Sequence, residues 1–236
     1  MFDIPMNASG ATSLSDMASS GMQQPIVQQQ YQQSQIQQSQ SKQRFEGKKG
    51  VQLKKGQKWV IVDNGVPLTQ LRVCLDWDIG PTTMDLDASV FMLGQDGKVI
   101  ADDWFVYYYQ LQSPDGSIRH HGDNPDGGGV DDEVIDINLP MVDTRVTRIV
   151  FVVTINEALE KGLNFNMVKS AVVRIVNPTT NSELARYELA SYGPVTSLMV
   201  GEVYRHNGQW KFNPIGDGVT RDLNGLCELY GVTVAD

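Results

Sequence analysis

From Gly50 onward the apolar residues recur with the period of a pleated strand, and that spacing limits the fold more than any other feature. Leu71, Val73, Leu75 and Trp77 alternate with Arg72, Cys74 and Asp76. Leu86, Ala88, Val90 and Met92 alternate with Asp87, Ser89 and Phe91. Arg148–Ile155 and Val172–Val176 are continuous apolar runs, as in strands buried on both faces or in a sandwich core. Val134–Leu139, Glu183–Leu189, Leu198–His206 and Trp210–Phe212 complete the set. Turn residues separate them at Gln95-Asp96-Gly97, Ser113-Pro114-Asp115-Gly116 and Asn207-Gly208, the last a strong hairpin signal. Helical spacing is confined to two segments. Asn156–Lys161 has Asn156 as cap and Gly162 as stop; Thr220–Tyr230 sets Leu223, Leu226, Leu229 and Tyr230 on one face. The predicted fold class is all-β with minor α, a β-sandwich of two antiparallel sheets.

Residues 1–46 carry no such pattern. Gln23–Gln43 holds 12 glutamines in 21 positions, after a Ser-, Ala- and Gly-rich stretch. Too little apolar surface is available to offset the entropy of ordering, so a disordered Gln/Ser-rich tail is expected. Self-association through Gln-rich stacking is the sharper alternative for the tail, and the heptad positions of a coiled coil are not filled. The folded domain is expected over 47–236.

Charge is divided between these parts. The whole chain has a formal net charge of -9, but residues 59–236 hold 12 bases against 25 acids. Such acidity argues against nucleic acid as a partner, because phosphate neutralisation needs a basic surface. A short basic strip, Lys42 to Lys58, reads as a solubilising linker face. The start of the sequence has no basic, apolar leader and no run of about 18 apolar residues follows, so the expected location is the cytoplasm. Cys74 and Cys227, the only cysteines, then read as reduced core thiols.

The acids converge in Gly122-Asp123-Asn124-Pro125-Asp126-Gly127-Gly128-Gly129-Val130-Asp131-Asp132-Glu133. Five carboxylates in one loop repel unless a cation neutralises them. The four glycines let the backbone wrap and turn its carbonyls inward. Hard oxygen donors on a flexible loop suit Ca²⁺, which takes about six to eight of them, better than Mg²⁺. The spacing is not that of an EF-hand. Asp85 and Asp87 point to one face of their strand and offer a second acidic pair for a shared site. Adjacent His120 and His121 face opposite ways on an extended segment, so a zinc site has little support. No nucleophile elbow, phosphate-cradling loop or His-Glu-x-x-His motif is present.

These blocks, in this order, resemble the TerD family, the tellurium-resistance and stress-response domain of bacteria. The resemblance runs from about Gly50 to about Val232. It rests on Gly50-Val51-Gln52-Leu53-Lys54-Lys55-Gly56, Leu75-Asp76-Trp77-Asp78, Asp85-Leu86-Asp87-Ala88-Ser89 and Ser113-Pro114-Asp115-Gly116-Ser117. It continues through the acidic loop, Ile155-Asn156-Glu157-Ala158, Glu183-Leu184-Ala185-Arg186-Tyr187 and Gly201-Glu202-Val203-Tyr204-Arg205-His206-Asn207-Gly208. The resemblance implies a Ca²⁺-binding sandwich with two ions at one end and no established catalytic activity. It also implies a role in resistance to tellurite and other chemical stress, within a membrane-linked protein assembly. The candidate metal ligands are Asp85, Asp87, Asp123, Asn124, Asp126, Gly128, Asp131, Asp132, Glu133 and Glu157. One departure is local: Asp126 stands where the family has Thr, and the loop is one residue shorter, with one carboxylate fewer. Two other readings remain open at this point: a hydrolase using the same carboxylates with Mg²⁺ or Mn²⁺, and a scaffold assembled through the Gln-rich tail.

Overall fold

The structure is a computed structural model that describes residues 50–122, 131–189 and 192–234. The tail expected over 1–46 lies outside the described residues, as do Asp123, Asn124, Asp126 and Gly128. In chain order the strands are β1 Val51–Gln52, β2 Trp59–Val60, β3 Val62–Asp63, β4 Val66–Pro67, β5 Gln70–Asp78, β6 Leu86–Leu93, β7 Phe105–Val106, β8 Ile118–His120, β9 Glu133–Asn138, β10 Arg148–Ile155, β11 Ser170–Asn177, β12 Ser182–Leu189, β13 Ser197–His206 and β14 Gln209–Val219. Two short α-helices follow β10 and β14: α1, Ala158–Lys161, and α2, Leu223–Tyr230.

Sheet 1 has the order β1-β12-β11-β5-β9-β8, and sheet 2 the order β2-β14-β13-β10-β6-β7. All pairings are antiparallel except that of β1 with β12 at the edge of sheet 1. The alternation seen in the sequence explains the packing. Leu71, Val73, Leu75 and Trp77 of β5 and Ile135 and Ile137 of β9 turn inward from sheet 1. Val90 and Met92 of β6 and Ile149, Phe151 and Val153 of β10 meet them from sheet 2. The continuous run of β10 has a separate cause. Its alternate residues Val150 and Val152, with Phe91 and Leu93 of β6, are buried on the outer face of sheet 2 by Leu226 and Cys227 of α2. Three layers result: sheet, sheet and helix.

Gly50 shows how closely β1 docks. A Cβ there would lie 2.5 Å from the backbone of Leu184 and Ala185, so only glycine fits against β12. Its N–H donates to Glu183 Oε1 at 3.0 Å. Both helices differ from expectation at their starts. Asn156 does not cap α1; Glu157 takes that place in a left-handed conformation. Asp222 caps α2 by accepting the Gly225 N–H at 2.8 Å, because β14 continues to Val219. Cys227 rather than Leu229 shares the buried face of α2 with Leu226. Among the described residues no helix is long and apolar enough to cross a membrane.

Candidate metal centre

Strand alternation decides where each described carboxylate goes. Asp85 precedes β6, with its backbone carbonyl accepting the Asn156 N–H at 2.9 Å and its Oδ2 accepting Asn156 Nδ2 at 3.3 Å. Asp85 Oδ1 is buried and has no hydrogen-bond partner among the described residues. Asp87, paired in register with Thr154 of β10, lies on the face opposite Leu86 and Ala88. Glu157 ion-pairs with Lys161 across one turn of α1.

The three acids that close the acidic loop separate. Asp131 ion-pairs with Arg174 of β11. Asp132 is built into β5: its N–H donates to the Leu75 carbonyl at 3.0 Å, and its Oδ2 accepts the Trp77 N–H at 2.7 Å. It also hydrogen-bonds the Asp76 carboxyl. Burial, and then the charge of Asp132, push Asp76 up to about 6. Glu133 turns inward and lies 3.3 Å from His120 Nε2.

His120 is the hub of this end of the sandwich. It is buried on β8, and its Nε2 donates across the core to the Ala88 carbonyl of β6 at 3.1 Å. Nδ1 accepts the Gly122 N–H at 3.0 Å. These partners fix the neutral tautomer with its proton on Nε2. Burial agrees, pushing the imidazole down to about 4. His121 points the other way, with Nε2 2.9 Å from Asp136 Oδ2. Asp136 also receives Arg72 through two hydrogen bonds of 2.7 and 2.9 Å. Burial would raise its pKa, but Arg72 and His121 hold it well below the usual carboxylate range.

Of the residues singled out in the sequence, the structure gathers Asp85 with Asn156, and Glu133 with His120 and Ala88. Among the described residues, no three acids, histidines or cysteines form a cluster able to hold a metal alone. The residues that hold the acids in place were less visible. Arg174 had a signal, as the one charge inside the apolar run Val172–Val176. Asp76 lies on β5, and its partner Asp132 is distant in sequence. The donors present are carboxylate and amide oxygens, and a buried carboxylate oxygen without a partner is what a hard cation would satisfy.

A sequence model of the TerD domain matches residues 50–230. General stress protein 16U of Bacillus subtilis (strain 168) is 42% identical over 190 residues, covering 78% of this chain and 98% of that protein. Tellurium resistance protein TerD of Serratia marcescens is 40% identical over 190 residues, covering 78% and 99%. Among solved structures, the protein of unknown function SAV2460 superposes with a TM-score of 0.55 at 26% identity, covering 67% of this chain and 94% of that one.

Proposed function

The chain belongs to the TerD family of tellurium-resistance and stress-response proteins, and from that membership we propose that its sandwich is a calcium-binding, non-enzymatic interaction module of a bacterial response to tellurite and other chemical stress. The observation that carries the calcium reading is the buried Oδ1 of Asp85, just before β6, which has no hydrogen-bond partner among the described residues. Burying a carboxylate oxygen without a donor is costly, and a hard cation supplies the missing partner.

In this reading Asp85, Asp87, Asp131, Asp132, Glu133 and Glu157 supply oxygens, together with Asp123, Asn124, Asp126 and Gly128. Bound calcium would offset the mutual repulsion of these acids and stiffen the segment that carries them. The His120 bridge and the Asp132 contacts to β5 hold the two ends of that segment on the sandwich. The module's partners would be other proteins of a membrane-associated stress-response assembly in the cytoplasm, with self-association through the tail.

Calorimetric titration of the full chain with Ca²⁺ tests this. A ligand at a hundredfold its Kd adds about 2.7 kcal/mol to stability, which raises the melting temperature of a chain this size by about 5–10 °C. Asp85→Asn keeps the shape of the side chain and removes its charge. It should weaken calcium binding at least tenfold while leaving the metal-free melting temperature within about 2 °C. No heat of binding and no thermal shift at millimolar Ca²⁺ would sink the reading.

A further inference from the structure

Tight turns favour Gly, Pro, Asn, Asp and Ser, because those residues fit the backbone of a sharp bend. The turn after β7 has none of them at its centre. The Tyr107 N–H donates to the Gln110 carbonyl and the Gln110 N–H to the Tyr107 carbonyl, both at 3.0 Å, so Tyr108 and Tyr109 are the two central residues. Tyr109 is 80% exposed and Tyr108 40% exposed. Smaller residues would close the bend, so two large aromatic side chains there break a local rule and point to a use.

The rings are held in place. Tyr108 and Tyr109 have centroids 4.6 Å apart, with planes at 44°. Both meet Tyr107 edge-on, at 5.3 and 6.0 Å. Behind them Tyr107 stacks on Phe105, Phe105 on Phe91, and Phe91 packs on Tyr230 of α2, each step 4.5 Å. Gln110 Nε2 fastens the turn by donating to the Phe105 carbonyl at 3.0 Å. The turn also joins the two layers. β7 before it is the edge of sheet 2, and Leu111 after it accepts the His120 N–H of β8, in sheet 1, at 2.8 Å.

We propose that Tyr108 and Tyr109 form an oxidative cross-linking site, where one-electron oxidants such as photo-oxidised metal complexes join the two rings as an intrachain dityrosine. Each phenol gives one electron to the oxidant and its hydroxyl proton to water. The two phenoxyl radicals then couple through ring carbons beside the C–O carbon, and one C–C bond forms. The hydrogens on those two carbons move to the oxygens, which restores both aromatic rings. The pair has lost two electrons and two protons. Rings already in contact have a high effective concentration for each other, so closure within one chain outruns coupling between chains. None of this depends on the calcium reading.

The full chain would be illuminated with tris(bipyridine)ruthenium and persulfate, and dityrosine read by fluorescence and by peptide mass spectrometry. The expected product runs as a monomer on a denaturing gel and carries its bond between Tyr108 and Tyr109. Tyr108→Phe and Tyr109→Phe should each lower the intrachain yield at least about tenfold, whereas Tyr107→Phe, which keeps a ring in the stack, should stay within about twofold of wild type. Unfolding in urea before illumination should cut the yield about fivefold, since the rings then lose their fixed contact. A covalent dimer as the main product, a bond map that avoids this pair, or an equal yield from the unfolded chain overturns the proposal. The wild-type bond map decides even where a variant does not fold.

Discussion

Asp136 shows what a single well-held charge does in this protein. Arg72 grips it with two parallel hydrogen bonds and His121 adds a third. A carboxyl with a depressed folded pKa gives stability that is complete above the unfolded carboxyl range near 4 and drains away as pH falls toward the folded value. Asp136→Asn should therefore cost about 1–3 kcal/mol at pH 7. The gap between variant and wild type should narrow steadily below about pH 4. Urea melts at several pH values would show this, and a constant gap down to pH 3 would refute it. Gly201 gives a second case. A Cβ there would lie 2.6 Å from Phe212 Cζ, so Gly201→Ala should overpack the core and cost about 1–3 kcal/mol, read in the same melts. Neither effect was legible in the sequence. Asp136 stands in the sequence as an acid between Ile135 and Ile137, and the partners that depress it come from β5 and the segment after β8.

The elements were far more legible, because strand period is a local property. The stretches Leu71–Trp77, Leu86–Met92, Arg148–Ile155 and Glu183–Leu189 each fall inside an observed strand. Helix ends were less so. Asn156 looked like a cap, but its amide is used on Asp85, and Glu157 assumes the turn. The acidic loop was legible as a charge cluster, yet its closing acids disperse to Arg174, Asp76 and His120, which no local pattern reveals. Helix α2 tests the layer model directly. Leu226 is fully buried against the outer face of sheet 2. Leu226→Ala should cost about 2–5 kcal/mol, whereas Leu229→Ala, on the exposed side, should stay within about 0.5 kcal/mol. Equal losses would mean that the helix does not seal that face.

The molecule keeps its two thiols apart. Cys74 lies on the side of β5 turned away from the inter-sheet core, and Cys227 lies under α2 on the outer face of sheet 2. Burial pushes Cys74 up to about 12 and Cys227 up to about 11. The folded chain should resist iodoacetamide at pH 8 and take up two equivalents once unfolded; mass spectrometry of native protein carrying one adduct would contradict this. Sheet membership carries a further consequence. Sheet 1 takes β1, β5, β8, β9, β11 and β12, and sheet 2 takes β2, β6, β7, β10, β13 and β14. The chain thus passes repeatedly between layers, and Gly50 meets Glu183 across 133 positions of sequence. A ribosome making this protein releases β1 and β2 long before β12 and β14 exist to receive them. Neither sheet closes until β12 and β14 have been made, so a product stalled or truncated before them would display bare strand edges and become a substrate for holding chaperones.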